Sequence, residues 1–198
     1  KNFPPDFFSI LDRLERHDIQ FVIASGRSYR ALKPLFNEYC SRLTFICDNG
    51  AFIVRNGKTV FTSAIPAETL KDIVNNCYEK LPMAYLVMCG TKGIYVSDRV
   101  KPRSEKELGF YYNSRIVCDD LREINDEIFK IAIYDENDPQ KYSYPVLNRI
   151  YGNDLTLQVS GHLWMDIMNS SINKGTALES IRDSLGITSE ETMAFGDF

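Results

Sequence analysis

The chain has little of what staples or metallates a small domain. Its five cysteines (Cys40, Cys47, Cys77, Cys89 and Cys118) are an odd number without C-x-x-C spacing, and only two histidines are present, His17 and His162. That pattern argues against a disulfide framework and against a zinc site. Free thiols in a chain of this size fit a reducing cytoplasm. Runs of Lys and Arg are missing too, and the formal net charge is −4 with a pI near 5.3. Duplex nucleic acid and anionic membrane surfaces are therefore poor partners. No uninterrupted apolar stretch approaches the ~18 residues that span a bilayer. Internal repeats and low-complexity linkers are also lacking.

What is present is ordinary for a globular protein: 198 residues, 44% hydrophobic and 12% aromatic, enough for a sizeable core. Asp6–His17 has helical periodicity, with Phe7, Ile10, Leu11 and Leu14 on one side. Ile19–Ala24 and Leu43–Cys47 are apolar runs of the kind found in strands buried on both faces, separated by a helix over Ser28–Tyr39. This β-α-β order implies a parallel sheet with covering helices. The pattern then changes. Ala51–Ile65 is expected to be a hairpin turning at Asn56-Gly57. Helices are expected over Thr69–Leu81, Ser104–Tyr112, Asp120–Asp126 and part of Pro139–Tyr151. Ala84–Ser97 forms a second hairpin, with strands over Ile128–Tyr134 and Leu155–Ser160. Strand, helix and strand resume over Leu163–Met168, Lys174–Leu185 and Thr192–Phe195. The simplest organisation is an α/β doubly wound parallel-sheet core, residues 1–63 and 161–198, interrupted by an α+β module, residues 64–160.

Four short motifs fall at the carboxyl ends of core strands, where open α/β sheets build their sites. Ser25-Gly26-Arg27 places a hydroxyl and free N–H groups at a helix start, a natural anion cradle. Asp48-Asn49-Gly50 puts Asn49 at the next strand tip. Lys174 follows Asn173 in the first turn of a helix, where a cation opposes the dipole unless it faces an anion. Asp197 follows Gly196 at a later tip and suits a hard cation such as Mg²⁺. Each motif also has a plain structural reading. Ser25 and Asn173 make good helix caps, Asn49-Gly50 a good turn, Lys174 a surface lysine and Asp197 a turn acid.

Taken in order, Ala24-Ser25-Gly26-Arg27, Asp48-Asn49-Gly50-Ala51, Asn173-Lys174-Gly175 and Ala194-Phe195-Gly196-Asp197 resemble successive motifs of the haloacid dehalogenase (HAD) phosphohydrolase superfamily. The closest resemblance is to its Cof-type branch, which carries a type IIB cap between the second and third motifs. The resemblance implies a HAD-like Rossmannoid core with an inserted cap that closes over the site. It also implies a Mg²⁺-dependent cytoplasmic phosphohydrolase of small phosphorylated metabolites, sugar phosphates in particular, working through an aspartyl-phosphate. By that likeness Ser25 and Lys174 are catalytic. Ser25, Gly26, Arg27, Asn49, Gly50, Asn173 and Lys174 surround the phosphate ester, and Asp197 ligates Mg²⁺. A sister-branch phosphomutase or sugar-phosphate phosphatase, and a non-catalytic ligand-binding relative, are the alternative readings.

The resemblance is broken in two places. The Asp-x-Asp-Gly-Thr nucleophile motif does not occur, and the fourth motif stops at Phe198. The expectation is of a chain cut through its site at both ends. Made by itself, the 198-residue chain should show no Mg²⁺-dependent turnover of p-nitrophenyl phosphate. A measurable rate in a release assay contradicts this reading.

Overall fold

The computed structural model describes residues 3–99, 108–109, 112 and 114–196. The chain divides into two compact units, Lys1–Phe61 with Asn173–Phe198, and Thr62–Ile172.

In the first unit, α1 (Phe7–Arg16) buries Leu11. It ends at Arg16 with His17 as its C-cap; Asp18 then adopts φ +56°, and the Ile19 N–H donates back to Leu14 O at 3.0 Å. That turn consumes the start of the strand expected from Ile19, leaving β1 as Val22–Ala24. Helix α2 (Tyr29–Phe36) is capped by Ser28, whose Oγ accepts the Ala31 N–H at 3.3 Å. It stops short of Tyr39. Pro34 offers no N–H to the helix, and Asn37 leaves it at φ +46°, so Asn37–Ser41 is a 3₁₀ turn.

Strand β2 (Thr44–Cys47) pairs parallel with β1 and antiparallel with β3 (Phe52–Arg55); β4 (Lys58–Thr62) completes the order β1-β2-β3-β4. Asn56 and Gly57 both take positive φ in the β3–β4 turn, as a two-residue hairpin requires. Every residue of β2 is buried. Phe45 meets the rings of Tyr29 and Phe36 from α2, while Ile46 packs with Ile53 against Ala177 and Ile181 of α5 (Lys174–Leu185). The strand expected over Thr192–Phe195 does not form. Thr192 is bonded back to Ser189 O and Thr188 O, and Phe195 is 90% exposed. An extended segment becomes a strand by joining a ladder, and among the described residues none receives it.

The second unit contains α3 (Ala67–Lys80), β5 (Tyr85–Gly90), β6 (Ile94–Ser97), β7 (Ile116–Cys118), β8 (Ile128–Tyr134), α4 (Ser143–Tyr151), β9 (Leu155–Val159) and β10 (Trp164–Asn169). Its sheet runs β7-β6-β5-β8-β10-β9; only the β6–β7 pair is parallel. Alternate residues Leu86 and Met88, Ile131 and Ile133, and Met165 and Ile167 feed one core with Ile73, Val74 and Cys77 of α3 and Leu147 and Tyr151 of α4. Burial holds the Cys77 thiol up to about 12, so it stays protonated.

Two expectations are corrected here. The strand expected to reopen the core at Leu163–Met168 is β10, which lies in the second sheet between β8 and β9. Met165 and Ile167 are committed to the second core, and the chain leaves this unit only at Ile172. Asp166, on the opposite face, stands across from Ala132 and Gln158. The helix expected over Asp120–Asp126 is a single 3₁₀ turn, Leu121–Glu123. Asp120 accepts the Arg122 N–H, Ile124 is extended, and Asp126 is drawn to the β5–β6 turn. The helix expected over Ser104–Tyr112 lies mainly outside the described residues. Within it, Tyr112 is buried against Trp164, whose ring centroid is 5.5 Å away. Among the described residues no helix is long and apolar enough to cross a membrane.

Asp126 holds the β5–β6 turn. Its carboxylate accepts from Thr91 Oγ1 at 2.6 Å, Lys92 N at 2.8 Å, Tyr95 OH at 3.0 Å and Glu127 N at 2.8 Å. Burial pushes its pKa up, but the Thr91, Lys92, Tyr95 and Glu127 bonds outweigh it and leave it below the ordinary 3.8. The folded state therefore favours the carboxylate. Its contribution is complete above the unfolded pKa and disappears as pH falls through the lower folded value. Asp126→Asn should cost about 1–3 kcal/mol near neutral pH. Urea unfolding across pH should show the gap to wild type closing below about pH 4; a gap independent of pH contradicts the assignment.

Candidate active site

The parallel ladder ends where the Ser25 N–H donates to Ile46 O at 2.9 Å. Beyond it, the two strand tips stay bonded through their loops. The Asn49 N–H donates to Ser25 O at 3.2 Å, and the Asp48 N–H to Arg27 O at 3.1 Å. Within the first loop the Arg27 N–H donates to Ser25 Oγ at 3.1 Å. Accepting that bond uses a lone pair of the hydroxyl and leaves its proton for donation. Ser25 is half-buried at the tip, and Gly26 and Arg27 are exposed.

The second tip turns through three successive left-handed residues: Asp48 at φ +47°, Asn49 at +58° and Gly50 at +107°. Asp and Asn tolerate this region better than other side chains, but +107° calls for glycine. Gly50 is also pressed against the third motif: a Cβ there would lie 2.4 Å from Asn173 O and 3.2 Å from the Ala177 Cβ. The first two motifs meet in a similar way, since a Cβ on Gly26 would lie 2.9 Å from Asn49 Oδ1. The segments carrying Ser25, Asn49 and Lys174 are thus locked to one another by main-chain bonds and by two close glycine approaches.

Lys174 reaches this place because α5 lies on β2 and β3. Ala177 and Ile181 pack on Ile46 and Ile53, so the helix N-terminus is delivered to the β2 tip. Asn173 caps it, its Oδ1 accepting from Gly175 N at 2.8 Å and Thr176 N at 3.0 Å, while Thr176 Oγ1 accepts the Asn173 N–H at 3.0 Å. This is a capping box, with Thr in place of the usual Glu or Gln. The cap occupies the Asn173 side-chain oxygen, leaving its amide nitrogen as the part suited to an anion. Lys174 is exposed at the first helical position, where it opposes the dipole. Hydroxyl, loop N–H groups, helix N-terminus and ammonium together make a site for a tetrahedral oxyanion.

Asp48 was not among the residues singled out from sequence, yet it is completely buried and its backbone joins both loops. The available signal was an acid closing a strand buried throughout. Asp197, the expected metal ligand, lies outside the described residues. Among those described, no group of three His, Cys, Asp or Glu could hold a metal ion. The groups gathered at the β1 and β2 tips are hydroxyl, N–H and ammonium, donors suited to an anion. The groove of about 290 Å³ in the first unit lies elsewhere, at the opposite end of β1 and β2 beside Phe21, Leu43 and Arg55. Arg42, which lines it, is already paired with Asp12 and Glu15, so an anion there would compete with two carboxylates.

The chain matches the family described as haloacid dehalogenase-like hydrolase over residues 1–198. It is similar to the 5-amino-6-(5-phospho-D-ribitylamino)uracil phosphatase YbjI of Escherichia coli (strain K12), 24% identical over 193 residues that cover 96% of this chain and 70% of that protein. It is also similar to the HMP-PP phosphatase of Klebsiella pneumoniae (strain 342), 24% identical over 191 residues, 94% of this chain and 68% of the relative. Among solved structures, SMU.1108c from Streptococcus mutans UA159 superposes with a TM-score of 0.85 at 26% identity, covering 99% of this chain and 74% of that one. The HAD subclass IIB sugar phosphatase BT4131 shares the fold with a TM-score of 0.74 at 20% identity, over 99% of this chain and 74% of that one.

The two glycines make a paired prediction. Gly50→Ala places a methyl against main chain at a φ that alanine avoids, and should cost about 3 kcal/mol or more. Gly26→Ala meets only the end of a movable side chain. It should cost about 1 kcal/mol or less while shifting the Asn49 amide signals in a ¹⁵N NMR spectrum. Equal urea midpoints for the two variants contradict this geometry.

Proposed function

The chain belongs to the haloacid dehalogenase-like hydrolase family, and on that premise we propose that it is a Mg²⁺-dependent phosphatase of small phosphorylated metabolites, sugar phosphates foremost. The observation that carries the reading is the locking of the Ser25, Asn49 and Lys174 segments around the tips of β1 and β2. Phosphoryl transfer is mostly positioning and charge neutralisation, and these segments supply both. In this reading the Ser25 hydroxyl and the Gly26 N–H meet the phosphoryl oxygens, with Arg27 as an exposed cationic edge. Lys174 neutralises charge on the phosphoryl group and on the attacking carboxylate. Asn49 and Gly50 line the site, and Asn173 holds Lys174 in place through its cap. Asp197 is assigned to Mg²⁺, and the second unit to substrate choice as a cap. The 198 residues contain no Asp-x-Asp-Gly-Thr run, the motif that carries the nucleophile of an aspartyl-phosphate pathway. The free thiols support a cytoplasmic setting.

The test is phosphate release from a panel of sugar phosphates by the full-length gene product. Lys174→Met should lower kcat by about 10²–10³ without unfolding the protein, and EDTA should abolish turnover. Wild-type kcat in Lys174→Met overturns the reading. Phosphate retained on the sugar at a new hydroxyl, instead of released, identifies a mutase.

A further inference from the structure

The chain passes between its units at Phe61–Thr62 and Ile172–Asn173. Just inside the second unit, one side chain binds the two passages to each other. Asn169, the last residue of β10, directs its Nδ2 at Ala64 O (2.9 Å) and Ser63 Oγ (3.0 Å), with Ser63 O at 3.4 Å. A primary amide has two N–H donors, and two close acceptors meet them. The partners are 105 and 106 residues apart in sequence, so chain connectivity does not bring them together.

Each arm is also anchored beyond the clip. One residue after Ala64, the Ile65 N–H donates to Ile128 O at 2.7 Å, at the start of β8. Asn169 itself is paired with Leu155 at the start of β9. Ser63 and Ala64 on one arm and Ser170 and Ser171 on the other are short side chains with little surface to pack. Ser170 and Ser171 are exposed. The Asn169 amide joins the arms directly.

We propose that Asn169 is a positioning residue: it joins segments 62–64 and 169–172 into one double-stranded connector, so that the second unit moves as a body on paired arms. Hinges concentrate motion in a few residues at element ends, and a clip inside the connector pushes that motion outward to 61–62 and 172–173. The catalytic consequence rests on the phosphatase reading above; the mechanical one does not. On the phosphatase reading, arms that flex separately should weaken substrate binding, read in KM, and spare the chemical step, read in kcat.

Hydrogen exchange followed by mass spectrometry on the full-length gene product tests this, comparing wild type, Asn169→Asp and Ser63→Ala. Asparagine to aspartate keeps the shape but removes both donors and sets a carboxylate against carbonyls. Exchange in peptides covering 62–66 and 167–172 should rise about tenfold in Asn169→Asp and less in Ser63→Ala, with β5 and α4 unchanged. In the same variant KM for a hexose phosphate should rise about tenfold while kcat for p-nitrophenyl phosphate stays at the wild-type value. Unchanged exchange in the arms overturns the proposal. So does exchange that rises across β8 and β10 together, or a local rise with KM unaltered, since either leaves Asn169 merely structural. If the wild-type enzyme releases phosphate from no ester, the phosphatase reading fails and the exchange data alone decide the connector.

Discussion

Two hydrogen bonds and one close approach hold the first unit's site together: Asn49 N–H to Ser25 O, Asp48 N–H to Arg27 O, and Gly50 against Asn173 O. None of the three involves a side chain beyond hydrogen. The site is therefore set by main-chain geometry, and the chemical groups ride on it. That arrangement asks for left-handed backbone at three consecutive positions, a strain that persists only where surrounding structure fixes it. The fixing comes from β2, buried at every residue between α2 and α5. Core packing places two helix N-termini at one strand edge, and the loops there have no slack in which to separate.

The second unit solves a different problem. Its sheet is almost wholly antiparallel and covered on one face by α3 and α4. Polar residues inside it are paired: Tyr151 OH donates to Asp72 at 2.6 Å and accepts from Asn76 at 2.8 Å, and Ser143 Oγ donates to Asp135. Burial first, and then the Asp72 carboxylate, push the Tyr151 hydroxyl well above its usual range, so it remains a neutral donor. A sheet braced in this way is suited to moving as one piece, which gives the Asn169 clip something rigid to act on.

Much of this was legible in the sequence because the decisive patterns are local. Ile128–Tyr134 and Thr44–Cys47 are largely apolar runs, Asn56-Gly57 announces its own turn, and Asn173 announces its own cap. The family resemblance, too, was carried by four contiguous motifs. What sequence could not give was partnership. Leu163–Met168 has the composition of a core strand and is one, but which core it enters depends on Met165 and Ile167 meeting α3 and α4 from far along the chain. Asp120–Asp126 has helical spacing, yet Asp126 is taken by Thr91, Lys92 and Tyr95, and that tertiary demand overrides the propensity. Asp48 sits in a legible motif at the end of an apolar strand, but its complete burial depends on packing from far along the chain, and the Asn169 clip depends on partners 105 and 106 residues away.

On the reading proposed above, Ser25, Asn49 and Lys174 hold a single anion at the tips of β1 and β2. Titrating ¹⁵N-labelled chain with inorganic phosphate and following backbone amides by NMR measures it directly. Saturable shifts are expected at Gly26, Arg27, Asn49, Lys174 and Gly175, all lost in Lys174→Met. Shifts centred instead on the groove beside Arg42 and Arg55, or none at the strand tips at phosphate concentrations that saturate the protein elsewhere, would contradict it.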